Sequence, residues 1–361
     1  MLVKASSWKG RRVLVTGHTG FKGGWLSLWL TRLDADVTGF SLPAPTDPSF
    51  FEQTRLAELV THVEGDIRDL AALEAAIAEA QPEVVFHLAA QPLVRLSYAE
   101  PVETYATNVM GTVHLLDACR RVDSVRAVVC ITSDKCYENR EWVWPYRESD
   151  PMGGHDPYSS SKGAAEIVIS AYRRSFFERG AGLASVRAGN VIGGGDWAAD
   201  RLIPDIIRAM LAGERPLIRS PNSIRPWQHV MEALSGYMLI AERLLEGREE
   251  FASGWNFGPA DEDARPVAWI VEKMLELYGA EGWDQPSGAQ PHEATLLKLD
   301  CSKARASLGW RPRLNLEAAL TKVVEWHSAV ANGADAREVT INQLDQYSAL
   351  AGASVGQVEW A

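Results

Sequence analysis

Cysteine is scarce in this chain. The four in 361 residues (Cys119, Cys130, Cys136 and Cys301) show no paired spacing of the kind a metal site uses. No metal is expected, and so few cysteines point to reduced thiols in a cytosolic setting. Positive charge is in deficit too: 36 lysines and arginines against 47 acids give a formal net charge of -11. That argues against a nucleic-acid or anionic-membrane surface, while local arginines remain free to bind a small phosphorylated molecule. No long apolar run is present, and Met1 to Arg12 is too polar and too short to read as a signal peptide. Internal repeats and low-complexity tracts are missing as well. What is there is ordinary for a soluble globular protein, with 46% hydrophobic and 23% charged residues. The exception is thirteen tryptophans, several of them in polar stretches (Trp142, Trp144, Trp197, Trp227), where a flat ring either plugs a core or stacks on a ligand.

Arg12-Val13-Leu14-Val15-Thr16 is a short β-branched run ending at a glycine, the pattern of a buried first strand. Gly17-His18-Thr19-Gly20-Phe21-Lys22-Gly23 follows and opens a segment, Gly24 to Leu33, with apolar residues at helical spacing. Strand, glycine turn and helix in that order form the context of a dinucleotide fingerprint, here spaced G-x-x-G-x-x-G. Glycines let a pyrophosphate reach backbone N–H groups, and the helix start adds orphan donors and partial positive charge. The second strand, Asp36 to Leu42, carries neither an acid after Phe40 for a ribose diol nor an arginine for a 2′-phosphate, so NAD is the expected cofactor. A third strand, His62 to Ile67, places Asp66 to cap an adenine amino group. A helix over Leu70 to Ala80 and a strand over Glu83 to Ala90 follow, the latter ending in Leu88, Ala89 and Ala90, small enough for close approach to a ligand. His87 reads as a packed strand residue, and Tyr105 to Val122 as a helix carrying Asn108. The alternation predicts an α/β fold: a doubly wound, mostly parallel Rossmann sheet with a smaller mixed α/β C-terminal substrate lobe. Residues 1–187, with 229–258 returning to them, form the expected cofactor domain; 188–228 and 259–361 form the expected lobe.

The chemistry concentrates after another apolar run, Val125 to Ile131, broken only by Arg126. It delivers Thr132-Ser133-Asp134-Lys135-Cys136-Tyr137 to the carboxyl end of the sheet, where open α/β sheets bind ligands. A hydroxyl, an acid and an amine together there can shuttle protons. Tyr158 and Lys162, four apart at the start of a helix running to Phe177, project from one face. An ammonium beside a phenol favours the phenolate, lowering a pKa that starts at about 10 and making a base for a hydroxyl. Arg201, Arg219 and Arg225 are candidates for a diphosphate because planar guanidinium groups bond phosphate in pairs. Asn190 is placed to reach the phosphate or a sugar, and Trp227 is read as a stacking or packing group.

The order of these motifs resembles the extended short-chain dehydrogenase/reductase family, in particular its nucleotide-sugar 4,6-dehydratases. The stretches carrying the resemblance are Val15 to Trp25, Thr132 to Asn139, Glu148 to Lys162 and Ile224-Arg225-Pro226-Trp227-Gln228-His229. The resemblance implies CDP-glucose as substrate, CDP-4-keto-6-deoxy-glucose as product, and NAD held by Gly17, Thr19, Gly20, Phe21, Lys22, Gly23, Asp66, Ile67, Leu88, Ala89, Ala90, Asn108, Tyr158 and Lys162. It implies that Tyr158, assisted by Lys162, takes the proton of the C4 hydroxyl, and that Ser133 bonds the same oxygen where relatives have threonine. Asp134 protonates the departing C6 hydroxyl, and Lys135 stands where dTDP-glucose relatives carry a glutamate as the C5 base; it either takes the C5 proton as a neutral amine or stays charged and stabilises the enolate. A homodimer through Tyr105–Val122 and Ser161–Phe177, or a dimer of dimers, is implied in the same way. Three other readings compete, the first of them a dehydratase of another nucleotide sugar. A nucleotide-sugar 4-epimerase shares the tyrosine, lysine and glycine turn but has no need of Asp134 and Lys135. An NAD-sensing regulator needs none of them.

Overall fold

Residues 3–178, 180–286 and 297–350 are described by a computed structural model. Its strands run in chain order: β1 (Arg12–Thr16), β2 (Asp36–Ser41), β3 (Thr61–Glu64), β4 (Val84–His87), β5 (Ala127–Ile131), β6 (Gly182–Ala188), β7 (Asn190–Ile192), β8 (Ile224–Arg225), β9 (Trp227–His229), β10 (Gly254–Phe257) and β11 (Arg265–Pro266). Seven of them pair in parallel in the order β10-β6-β5-β4-β1-β2-β3. The chain winds from β1 outward to β3, then restarts at β4 on the other side of β1. A crevice therefore opens at the carboxyl ends of β1 and β4, the switch point at which such sheets bind ligands. Two small ladders, β7 with β9 and β8 with β11, belong to the second lobe.

The longer helices are α1 (Phe21–Arg32), α2 (Leu70–Ala80), α3 (Gly111–Cys119), α4 (Pro157–Phe176), α5 (Leu202–Ala212), α6 (Val230–Leu245), α7 (Val267–Tyr278), α8 (Leu316–Ala331) and α9 (Ala336–Leu350). Both sheet faces are covered, which is why β1, β4 and β5 are near-continuous apolar runs and not alternating ones. Val13, Val15 and Phe86 face Trp25, Leu234 and Trp255 on one side; Leu14, Val85 and Val128 face Leu73, Leu116 and Ile169 on the other. A third core, with Ile203, Ile207, Ile270, Met274, Leu320 and Val323, holds the lobe together. The C-terminal helix α9, assigned to the lobe from sequence, instead buries Leu344 and Tyr347 in the first sheet-face core. Tyr347 meets Trp29 edge-on at 5.8 Å and donates to Glu232 Oε2 at 2.8 Å, tying α9 to α1 and α6. Residues 287–296 and 351–361 of the expected lobe lie outside the described residues.

Three boundaries differ from expectation for local reasons. The third strand stops at Glu64, before Gly65 and Asp66. The helix expected over Tyr105–Val122 is broken by a π turn at Ala106–Met110, the kind of irregularity that recurs at functional sites. The helix expected from Ser161 starts at Pro157, because Asp156 caps it by accepting from Ser159 N at 2.9 Å and proline suits the first turn. Tyr158 thereby enters the first turn of α4. Among the described residues no helix is long and apolar enough to cross a membrane.

Candidate active site

The glycine turn is built for close approach. Gly17 adopts a positive φ of 77°, and a Cβ there would fall 2.7 Å from Ala89 N; a Cβ on Gly23 would fall 2.1 Å from Gly17 O. Side chains at either position would fill the cradle between the start of α1 and the loop after β4, so the residues present fit a bound dinucleotide. Phe21, Lys22, Leu88, Ala89 and Ala90 are half-buried around it. Gly20 N donates back to Gly17 O at 3.1 Å, closing the turn. Thr19 spends its hydroxyl on Ser41 Oγ (2.8 Å) and Leu42 O (2.9 Å), which fixes the end of β2. His18 is buried beside Gly39 and shares a 2.7 Å hydrogen bond with His62.

Other predicted cofactor residues are already engaged within the protein. Asp66 holds Arg68 at 2.6 Å, and that pairing lowers its carboxyl pKa. Ile67 is buried against Gly111. Asn108 accepts from Gln91 N at 2.9 Å and donates to Gln91 O (3.1 Å) and Ser161 Oγ (2.9 Å). It pins the loop after β4 to α4. His87 is a packed residue, bonded to Thr16 (2.8 Å) and Thr112 (3.2 Å), and burial lowers its pKa to about 3.

At the end of β5, Thr132, Ser133 and Asp134 are buried and Lys135 is half-buried. A short 3-10 turn, Asp134–Cys136, follows Ser133, whose hydroxyl accepts from Lys135 N at 3.2 Å and donates to Asp134 Oδ1 at 3.0 Å. Burial raises the Asp134 pKa, against the pull of Lys135, Ser133, Arg225 and Lys22. The acid therefore tends to keep its proton. Tyr158 comes down toward the same region from α4, its backbone N held by Ser97 Oγ at 3.1 Å, and both Ser133 and Asp134 act on its phenol.

The phenol departs from expectation. Burial pushes the Tyr158 pKa up to about 12, Asp134 pushes the same way, and Ser133 and Arg201 oppose them. Lys162 is itself desolvated, which lowers its pKa to about 8, and the groups that act on it are Cys130, Cys136 and Glu166. In this fold desolvation outweighs the help a neighbouring ammonium gives the phenolate. Cys136, beside the acid, is buried with its pKa raised well above that of a free thiol, so it is no nucleophile.

Cations gather around this centre from distant parts of the chain. Lys22 reaches in from the glycine turn; burial, Arg201 and Lys162 lower its pKa to about 8. Arg201, at the start of α5, is anchored 3.2 Å from Asp196, and Arg225 on β8 acts on Asp134. Arg219 is tied instead to Asp200 (3.3 Å) and Asp205 (3.7 Å), and Asn190 opens β7 opposite Trp227 of β9. Trp227 is buried in the lobe core, so it packs.

Sequence reasoning missed the support beneath the strand end. Glu166 accepts from Thr132 Oγ1 (2.5 Å), Ser185 Oγ (2.7 Å) and both sides of the Arg187 guanidinium (2.9 and 2.7 Å). Two signals were available: Glu166 lies four residues beyond Lys162 on the same helix face, and Arg187 sits inside an otherwise apolar strand. Asp196, the buried anchor of Arg201, follows Gly193-Gly194-Gly195, where no periodic pattern marks it out.

Residues 14–323 match the family model described as GDP-mannose 4,6 dehydratase. The chain is 57% identical to a CDP-glucose 4,6-dehydratase of Salmonella typhimurium, covering 96% of this chain and 98% of that protein. It is 29% identical to a dTDP-glucose 4,6-dehydratase of Streptomyces antibioticus over 87% of this chain and 92% of the relative. The fold is similar to that of a dTDP-glucose 4,6-dehydratase of Bacillus anthracis solved in complex with NAD, with a TM-score of 0.76 at 22% identity, covering 90% of this chain and 98% of that one.

Proposed function

The chain belongs to the GDP-mannose 4,6 dehydratase family, and on that premise we propose that it converts CDP-D-glucose to CDP-4-keto-6-deoxy-D-glucose and water. It is an NAD-dependent nucleotide-sugar dehydratase, a carbon–oxygen lyase. One observation carries the loss of water: a buried acid, Asp134, whose pKa burial raises, accepts from Ser133 at 3.0 Å and acts on the Tyr158 phenol. Oxidation and reduction at C4 alone would need the tyrosine but not the acid.

NAD, when bound, supplies the hydride acceptor at C4 and the hydride donor at C6. The glycine turn from Gly17 to Gly23, with Leu88 to Ala90, Tyr158 and Lys162, would hold it; Asp66, Ile67 and Asn108 shape the same crevice. Tyr158 would take the C4 hydroxyl proton once the positive charge of bound oxidised NAD joins Lys162 in lowering the phenol's raised pKa, and Ser133 would hydrogen-bond that oxygen. The ketone formed at C4 acidifies C5–H, which Lys135 removes. Asp134 protonates the C6 hydroxyl as it leaves. Arg201 and Arg225 neutralise the diphosphate from the rim, with Arg219 and Asn190 further out. Guanidinium groups suit that task because they form paired, charge-assisted bonds to phosphate.

An assay with CDP-glucose and NAD decides the reading. A 4-keto-6-deoxy product absorbing in alkali is expected; a C4 epimer or no product would overturn it. Running UDP- and dTDP-glucose alongside tests the nucleotide. For Lys135, C5 exchange with solvent hydrogen in Lys135→Met is expected to disappear, and undiminished exchange would remove it from this role. The setting we propose is cytoplasmic. Exposed apolar residues on one flank, Val102 (76%), Met110 (47%), Ile167 (61%) and Phe176 (52%), support a homodimer, and sedimentation would distinguish it from a dimer of dimers.

A further inference from the structure

The two oxygens of Asp134 face different surroundings. Oδ1 accepts from Ser133 Oγ at 3.0 Å, so in the acid form the proton sits on Oδ2. Oδ2 lies against backbone that arrives from elsewhere in the chain. A Cβ on Gly189 would stand 3.1 Å from Asp134 Oδ2, 3.1 Å from Pro226 O and 2.8 Å from Pro226 Cγ. Gly189 is the single residue between β6 and β7, and Pro226 the single residue between β8 and β9. The β7–β9 ladder, with Asn190 opposite Trp227, holds these two junctions side by side.

Conformation does not call for a glycine here, because φ at Gly189 lies outside the left-handed region. Space does. A methyl group at this position would press on a proline ring, on a carbonyl oxygen and on the acid. Pro226 is buried and its carbonyl is part of a paired backbone, whereas the Asp134 carboxyl turns about its own side-chain bonds. The carboxyl is the part that yields, by a few tenths of an ångström. At 4% exposure it has no solvent to turn into, so it would be swung off the Ser133 hydroxyl.

We propose that Gly189 is a positioning residue for Asp134: by carrying no side chain it lets Oδ2 rest against the β6–β7 junction, the place from which the acid protonates the C6 oxygen. Its influence is confined to the elimination of water. Oxidation at C4 draws on Tyr158, Lys162 and Ser133 and asks nothing of Oδ2. The inference rests on the dehydratase reading, since an enzyme that only oxidised and reduced C4 would be indifferent to the position of this acid.

The test uses the NAD-loaded enzyme and CDP-glucose. Gly189→Ala is expected to slow formation of the 4-keto-6-deoxy product by roughly 10- to 100-fold, the scale that a small misplacement of a reacting group costs. The rate of C4 oxidation and the KM should stay near wild type, so reduced cofactor accumulates during turnover. A wild-type rate of product formation, or an equal loss in both steps, would overturn the proposal. In an Asp134→Asn background the same change should cost nothing further, because the misplaced group no longer donates a proton; an additive loss would overturn it too. Should Gly189→Ala fold poorly, the double variant with Pro226→Ala removes the tightest contact, the ring Cγ, and keeps the one with the acid. The same split between oxidation and elimination is expected of it, and its absence counts against the proposal equally. If wild type makes no 4-keto-6-deoxy sugar, the dehydratase reading itself has failed, and that is seen before any variant is made.

Discussion

Two carboxyl groups are buried at the same end of the sheet, and their pKa values are pushed in opposite directions. Asp134, just past β5, has one side-chain hydrogen bond, and burial raises its pKa. Glu166, two turns along α4 from Tyr158, is equally buried, yet Arg187, Thr132 and Ser185 together lower its pKa despite the same desolvation. Burial is common to both; the number of donors decides between them. With its oxygens saturated and a guanidinium alongside, Glu166 stays ionised and fastens α4 to β5 and β6. Left with one hydroxyl and cations at a distance, Asp134 has its pKa raised, the direction a proton donor needs. A structural carboxylate and a chemical one are thus told apart by what surrounds them.

The largest effect should come from removing the chemical one. Asp134→Asn is expected to lower kcat by roughly 10²–10⁴-fold while C4 oxidation persists, seen as reduced cofactor accumulating without 4-keto-6-deoxy product. A variant that still eliminates water would break the comparison at its centre. Removing the structural one should act on stability instead. Glu166→Ala leaves Arg187 charged and buried, which costs about 3–5 kcal/mol in chemical denaturation, and a near-neutral result would show that the pair is not the fastening it looks to be. At the rim, where charges are half-exposed, the expected loss is in binding. Arg225→Ala should raise KM for CDP-glucose by roughly 10- to 100-fold with kcat little changed, and Arg219→Ala by less, since Arg219 is tied to Asp200 and Asp205.

The smallest effect sharpens the contrast through pH. Asp134 binds its proton more tightly folded than unfolded, so stability from this site is greatest at low pH and falls as pH rises through its elevated pKa. Glu166 has the opposite sign: its stabilisation is present above the ordinary glutamate range and is lost as pH falls through its lowered folded pKa. Asp134→Asn is therefore expected to stabilise the fold at neutral pH by about 1 kcal/mol, a gain bought with activity. Melting curves from acid to neutral pH should show the two carboxylate variants diverging in opposite directions.

Much of this was legible before any coordinates. The strand over Arg12–Thr16, the glycine turn and the helix over Leu70–Ala80 follow from periodicity and punctuation, which are local. The break at Ala106–Met110 and the docking of α9 on the sheet were not legible, because each depends on partners far along the chain: Gln91 and Ser161 for Asn108, Glu232 and Trp29 for Tyr347. The Tyr158 pKa was read with the wrong sign for the same reason. Lys162 is one helical turn away in sequence, but the desolvation that dominates comes from everything packed around the phenol.

By itself the sequence determined which groups are neighbours within one turn or one strand end: Ser133 with Asp134 and Lys135, Tyr158 with Lys162, Gly17 with Gly20 and Gly23. Covalent spacing and backbone geometry set those relations, and no distant partner is needed. Only the tertiary structure decided the direction in which each group's pKa moves, because solvation and pairing are supplied by residues on other elements, tens of positions away along the chain. Arg187 arriving from β6 keeps Glu166 ionised. The absence of any comparable fork of donors beside Asp134, among the described residues, lets burial raise that acid's pKa.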